Sequence, residues 1–214
     1  MYFPKLRKMI FPLVLMLCFF EGVDSAAAVS DPVKNLTETA ANSSLSFRYE
    51  YNALKDKVRM TGEGSACIQG YAYELEVDGI SFYCDGETRW TVDSNSKEVV
   101  IETVEGLAED IYSNPVLLII KAEDMFDRDF ESETVFNGES LKQVALRPRS
   151  GTSLVSLSLY FKGLFLRGVS ASAEDGTETL IYIRDLKKDV KKPVTSFRFD
   201  VTGLDSSWVV TDLR

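Results

Sequence analysis

The sequence contains no histidine. Histidine is the general base of Ser-His-Asp and Cys-His hydrolases and a frequent ligand of catalytic zinc, so its absence excludes those enzyme classes. There is also no glycine-rich phosphate-binding loop. The carboxylates of Glu74 and Glu76 alternate along a predicted strand, which is typical of a solvated face. We therefore expect a protein that is not an enzyme and that holds no cofactor and no metal.

Cysteine is scarce, with three residues in the chain, and only Cys67 and Cys84 lie beyond the N-terminal segment. The strand pattern described below places these two residues on opposite faces of a sheet with one strand between them. That separation implies about 9–10 Å between their Cα atoms, whereas a disulfide requires less than about 7 Å. We expect two free thiols.

No apolar run reaches the roughly 20 residues that a membrane-spanning helix needs. Lys5, Arg7 and Lys8 precede an apolar run over residues 9–20, and Ser25-Ala26-Ala27 supplies the small residues of a cleavage site. The pattern predicts a signal peptide over residues 1–27, cleaved near Ala27, and one exported domain over residues 28–214.

The chain is acidic, with a formal net charge of −9. Residues 1–27 contain three basic and two acidic side chains, so their removal changes the net charge to −10. A surface of this charge repels nucleic acid, and we expect no nucleic-acid partner.

Residues 58–102 read as an antiparallel meander with one apolar, aromatic face. Asp78-Gly79 is a strong signal for a two-residue hairpin loop, and it sets Leu75 opposite Phe82 and Tyr73 opposite Cys84. With a two-residue loop at Gln69-Gly70 and a three-residue loop at residues 85–87, the apolar side chains of the neighbouring strands stay on that same face. The second of these loops sets Phe82 opposite Trp90. Glycines on the first strand, Gly62 and Gly64, either bend the sheet or leave room for a guest.

The rest of the chain adds helices at two places. Asp31-Pro32 predicts the start of a short amphipathic helix that ends near Asn42. Residues 110–129 read as a second helix, in which Asn114-Pro115 precedes a wholly apolar run. Such a helix must be buried on most sides, and the aromatic face is the surface available to it. We count about eleven strands in all.

An ordered set of motifs resembles a known family. The set comprises Gly62-Glu-Gly64, Asp85-Gly86-Glu-Thr-Arg-Trp90, Ser113-Asn-Pro-Val-Leu-Leu118, Leu146-Arg-Pro148, Asp175-Gly176 and Phe197-x-Phe199. In this order the motifs resemble the periplasmic outer-membrane lipoprotein carriers of the LolA-like family, in the form found in Bacteroides-like bacteria. The resemblance covers about residues 31–214.

The resemblance implies a mainly β (α+β) fold, an incompletely closed and strongly curved antiparallel β-barrel of about 11 strands whose mouth is covered by helices. It also implies a monomeric periplasmic chaperone that carries the acyl chains of lipoproteins from an inner-membrane release complex to an outer-membrane acceptor. The predicted cavity is lined by Phe47, Tyr49, Tyr73, Leu75, Phe82, Trp90 and Val92. The predicted lid helix is formed by Pro115, Val116, Leu117, Leu118 and Ile119.

The sequence departs from the family at one motif. Other members have an Arg-Pro pair after the glycine-flanked strand, and that arginine is tied to lid closure and transfer. The corresponding positions here are Gln69 and Gly70. Two alternatives to a carrier remain open: an envelope sensor module of the same fold that binds lipid or lipoprotein, and an exported domain with a filled core and an interaction role only.

Overall fold

A computed structural model describes residues 31–104, 122–149 and 153–214. The described helices are α1 (Pro32–Asn42) and the single turn α2 (Ala122–Met125), followed by 3₁₀ turns at Val194–Phe197 and Val201–Gly203. The strands are β1 (Ser44–Lys55), β2 (Val58–Gln69), β3 (Ala72–Val77), β4 (Ile80–Cys84), β5 (Thr88–Asp93), β6 (Glu98–Thr103), β7 (Phe126–Phe136), β8 (Glu139–Pro148), β9 (Leu154–Lys162), β10 (Phe165–Ala173), β11 (Glu178–Asp189) and β12 (Val209–Asp212). Among these residues, no helix has the length and apolar content needed to cross a membrane.

All twelve strands form one sheet in the order β12-β6-β5-β4-β3-β2-β1-β11-β10-β9-β8-β7. The strands at the two ends, β12 and β7, do not pair with each other, so the sheet is not closed. Each neighbouring pair is antiparallel except β12 and β6, which are parallel. The prediction of a mainly β fold with an incompletely closed antiparallel sheet is confirmed.

Helix α1 begins where its sequence predicts. The Asp31 carboxylate accepts hydrogen bonds from the backbone amides of Val33 and Lys34, at 2.9 and 3.2 Å, and Pro32 occupies the first turn. A side chain that accepts from these free amides is the usual helix cap, and proline suits a position whose amide has no partner. The helix ends at Asn42, as expected.

In two of the three predicted hairpins, the side chains lie on the predicted faces of the sheet. The β3–β4 pair has Leu75 opposite Phe82 and Tyr73 opposite Cys84, as Asp78-Gly79 predicts. In the β2–β3 hairpin the two-residue loop is Gly70-Tyr71 rather than Gln69-Gly70, because Gln69 pairs with Ala72. Gly70 has φ +57°, the left-handed conformation that glycine adopts without strain. The shift is an even number of residues, so the faces are unchanged.

The predicted β4–β5 register is wrong by one residue. Cys84 pairs with Arg89, and Tyr83 pairs with Trp90, so the loop has four residues and not three. The Asp85 carboxylate accepts hydrogen bonds from the amides of Glu87 and Thr88, at 3.0 and 2.8 Å, and this closes the longer loop. A shift of one residue moves every side chain of a strand to the other face.

Of the predicted helix over residues 110–129, the structure describes residues 122–129. Residues 122–125 are helical, but the chain becomes strand β7 at Phe126. Strand pairing with β8 prevails over the local helical pattern, and Arg147 and Arg149 pair with Asp129 and Asp127 across the two strands. The proposed lid residues, Pro115 to Ile119, lie outside the described residues.

The main hydrophobic core lies on one face of the sheet, here called the inner face. Its cluster includes Tyr73 and Leu75 from one half of the sheet and Leu157 and Leu159 from the other. Four strands separate β3 from β9 in the sheet order, so the sheet must curl for these side chains to share one core. Val33, Leu36 and Ala40 of α1 are buried in the same cluster, so the sheet curls around this helix.

The opposite, outer face carries a second cluster, here called the outer cluster. It consists of Trp90, Val92, Val99 and Ile101, packed by Tyr83 and by four residues of the C-terminal segment: Phe199, Val201, Leu204 and Trp208. The rings of Tyr83 and Phe199 lie 5.3 Å apart. A segment that follows the last long strand therefore covers β5 and β6 from outside.

Both cysteines of the described chain are free, as predicted. Cys67 pairs with Glu74 on β3, and Cys84 pairs with Tyr73 on the same strand. Positions 73 and 74 have opposite parity, so the two thiols project from opposite faces, and β3 lies between their strands.

Candidate functional site

The inner face brings together five of the seven predicted cavity residues. Tyr73 and Leu75 belong to the buried core, while Phe47, Tyr49 and Phe82 are half-buried and pack against its border. These side chains come from strands β1, β3 and β4, which place alternate residues on this face. Their common location agrees with the sequence prediction, and their contact with a ligand stays a prediction.

Trp90 and Val92 do not lie on the inner face. Both are buried in the outer cluster, beneath the C-terminal segment. The expectation that they line the same cavity as Phe82 is wrong, because the four-residue loop after Cys84 reverses the two faces of β5.

Helix α1 fills part of the inner face. Val33 and Leu36 are 1% and 4% exposed against the sheet. Burial of each such side chain contributes about 1.5–3 kcal/mol. Apolar side chains that are only half-buried pack against the edge of this core, among them Phe47, Tyr49, Phe82, Ala171 and Ile181. We call these five residues the open border of the inner face.

The glycines of β2 make room for tyrosine rings. A Cβ atom added at Gly64 would lie 2.6 Å from Tyr49 Cζ, and one added at Gly62 would lie 2.5 Å from Tyr51 Cε1. The Tyr49 hydroxyl donates to the Glu76 carbonyl at 3.2 Å, and the Tyr51 hydroxyl donates to the Asp78 carboxylate at 2.5 Å. Burial raises the pKa of Tyr49 to about 12, so this phenol remains a neutral donor at physiological pH. The space beside the two glycines is therefore occupied by tyrosine rings of the neighbouring strand β1.

We expect Gly64→Ala to destabilise the protein more than Gly62→Ala. The added methyl at position 64 would lie 2.1 Å from the Glu76 backbone oxygen, whereas at position 62 it meets only side chains, which can move. Overpacking of this kind typically costs about 1–3 kcal/mol. Urea unfolding of the two variants measures the difference, and equal midpoints would show that β2 and β3 are not held as closely as described.

A buried ion pair interrupts the inner face beside Cys84. Arg89 is 8% exposed, and its Nε and Nη2 atoms both donate to Glu102 Oε1, at 3.0 and 2.7 Å. The guanidinium also interacts with the Tyr73 hydroxyl. Burial raises the pKa of Tyr73 and that of the Cys84 thiol, so both stay neutral beside the arginine.

Sequence reasoning missed this polar group. Arg89 alternates with Trp90 along β5, so the assignment of one residue to the inner face excludes the other. A four-residue loop after Cys84 would have placed Arg89 beside Tyr73 and Cys84. The inner face is mainly apolar, and the described part of the chain has no group of three or more metal-ligating side chains.

The fold resembles a solved structure of an uncharacterized conserved protein from Thermus thermophilus. That match has a TM-score of 0.53 and 9% sequence identity, and it covers 84% of this chain and 96% of the other. Two lower-scoring matches are a LolA superfamily protein from Nitrosomonas europaea and LprF from Mycobacterium bovis. Their TM-scores are 0.41 and 0.42, their identities are 7% and 10%, and they cover 97% of the solved chains and 78% of this one.

Sequence comparison is more decisive than these structural likenesses. No curated protein matches this chain. The profile described as outer membrane lipoprotein carrier protein LolA matches residues 79–200, which is more than half of the chain. These residues include the β4–β5 hairpin, the strands β7–β11 and the start of the C-terminal segment that forms the outer cluster. The chain therefore belongs to the LolA family of outer membrane lipoprotein carrier proteins.

Proposed function

We propose that this protein is a periplasmic carrier that holds the acyl chains of lipoproteins against its inner face. It collects them from an inner-membrane release complex and delivers them to an outer-membrane acceptor. It acts by binding, without catalysis. Family membership supports the proposal. The structural observation that favours it most is the open border, whose apolar side chains are only partly buried at the edge of the inner-face core.

The energetics of this site suit a carrier. Each methylene removed from water contributes about 0.8 kcal/mol, so ten methylenes contribute roughly 8 kcal/mol before ordering costs. A free energy of about 8 kcal/mol corresponds to micromolar affinity. An apolar surface without specific polar contacts can therefore bind an acyl chain and still release it to a tighter acceptor.

The open border provides the test. We expect the protein to bind a fluorescent fatty-acyl probe, and Phe47→Asn and Phe82→Asn to weaken that binding about 10-fold or more, because each puts an amide on the apolar surface. Both side chains are half-buried, so the variants should remain folded. Circular dichroism during thermal unfolding checks this.

Phe130→Asn is the matched control. Phe130 lies on β7 opposite Ala145, which alternates with the core residues Val144 and Leu146 along β8. It is 52% exposed, so its replacement should leave probe affinity unchanged. If the parent protein does not bind the probe, or if all three variants bind it equally, the inner face is not the acyl site.

The sensor and filled-core alternatives are separated by native mass spectrometry of protein purified from its own cells. A lipoprotein adduct supports the carrier. Free lipid or a different bound protein supports an envelope sensor module of the same fold, and the absence of any bound species supports a filled core.

A further inference from the structure

A basic segment stands out on this acidic chain. Residues 184–192 contain five basic side chains and two acidic ones, in the sequence Arg-Asp-Leu-Lys-Lys-Asp-Val-Lys-Lys. Its local charge is therefore opposite in sign to the net charge of −9 carried by the whole chain. The segment comprises the end of β11 and the connection that follows it.

The sheet register places an apolar hairpin tip at the same end. Strands β10 and β11 are antiparallel, with Gly168 opposite Tyr182. Residues before Gly168 and residues after Tyr182 therefore extend toward one end of the sheet. The β9–β10 turn, Gly163-Leu164, and the first residue of β10, Phe165, thus lie beside the basic segment.

The side chains at this end are unusually exposed for apolar residues. Phe165 is 63% exposed, Val190 is 86% exposed and Val194 is 47% exposed, while Leu164 is 38% exposed. Leu164 lies in the turn between β9 and β10, and Val190 lies in the connection after β11, so both lie outside the strands at this end of the sheet.

The lysines at this end are available to a partner. Within the described residues, no ion pair joins Lys187, Lys188 or Lys191 to an acidic side chain. Lys192 is fixed differently, since its backbone amide and carbonyl both bond to the Gln69 side chain, at 2.7 and 2.9 Å. These two hydrogen bonds to β2 anchor the connection, so its lysines are held at the rim of the sheet.

We infer that this end of the sheet, formed by residues 162–167 and 184–194, docks on an anionic lipid bilayer. Lysines near an anionic surface gain attraction within about one Debye length, roughly 10 Å at 0.1 M salt. Phenylalanine and leucine side chains enter the headgroup boundary. Exposed apolar side chains and lysines at one end of the sheet match a bilayer, in which the phosphates lie above an apolar layer. The net negative charge then orients the protein with this end toward the membrane.

Vesicle sedimentation tests the docking without any acyl ligand. The mature chain should bind vesicles of phosphatidylcholine with phosphatidylglycerol, and should not bind vesicles of phosphatidylcholine alone. The triple variant K187Q/K188Q/K191Q should bind about 100-fold more weakly, because each lysine near the surface contributes about a 5-fold increase. Phe165→Ser should weaken binding about 10-fold.

Two control variants distinguish an effect of the residues at this end of the sheet from an effect of the net charge of the protein. K34Q/K57Q/K97Q removes the same number of lysines from other exposed positions, and Val155→Ser replaces an exposed apolar residue at the other end of the sheet. Both should retain parental vesicle binding. Failure of the parent to bind anionic vesicles, or equal loss in the two triple variants, would overturn the inference, and an acidic protein would then be the occupant to test. The acyl-probe experiment contains no bilayer, so either proposal can fail while the other stands.

Discussion

Trp90→Ala is expected to lower the free energy of unfolding by about 3–5 kcal/mol, the usual cost of deleting a buried aromatic side chain. Trp90 is 7% exposed. Its neighbours are Val92, Val99 and Ile101 on the sheet and the C-terminal segment above them. The deletion leaves a void that residues held by backbone pairing on β5 and β6 cannot fill. Urea unfolding followed by circular dichroism measures the loss.

The other tryptophan is the control. Trp208 packs against the same outer cluster but is only partly buried, so Trp208→Ala should cost less. Acyl-probe affinity should be unchanged in folded Trp90→Ala protein. If Trp90→Ala were as stable as the parent and altered probe binding instead, Trp90 would face the inner cavity and the β4–β5 register would be wrong.

Arg89→Met is expected to lower the free energy of unfolding by about 1–3 kcal/mol, since it leaves the partly buried Glu102 carboxylate without its partner. The Arg89 and Glu102 side chains are 10% and 24% exposed. The variant leaves the Glu102 carboxylate on an apolar face and removes a partner of Tyr73. Thermal and urea unfolding at neutral pH report the cost.

The double variant Arg89→Met/Glu102→Leu distinguishes a charge effect from a packing effect. Replacement of both members by apolar residues is often neutral, so the double variant should recover most of the stability lost by Arg89→Met. If the double variant is less stable than Arg89→Met, the guanidinium stabilises the protein mainly through packing and its contact with Tyr73.

Local sequence signals were reliable where one short-range interaction decides the geometry. The Asp31 carboxylate and Pro32 set the start of α1. Asp78-Gly79 set the β3–β4 register, with both residues at positive φ. The strict alternation of side chains along a strand predicts that Cys67 and Cys84 lie on opposite faces of the sheet. The inner positions of Phe47, Tyr49, Tyr73, Leu75 and Phe82 followed from the same alternation.

The sequence failed where two loop lengths were locally acceptable. After Cys84, the local sequence permits a three-residue loop or a four-residue loop. The structure has the four-residue loop, in which the Asp85 carboxylate accepts hydrogen bonds from the amides of Glu87 and Thr88. The choice nevertheless determines whether Trp90 or Arg89 faces the core. The apolar pattern of β5 favours the three-residue loop, because that loop would bring Trp90 and Val92 to the same face as Phe82.

By itself, then, the sequence determined the β-rich fold, the faces of β1 to β4, the cap of α1 and the free thiols, because each depends on interactions between residues close in the chain. Tertiary structure decided which face of β5 is internal. Residues 199–208, more than one hundred positions after Trp90, cover the outer face of β5 and β6 and give Trp90 and Val92 an apolar environment there. It also decided that α1 fills part of the inner face and that Arg89 joins Glu102 and Tyr73 beside it, since both follow only when the sheet has curled.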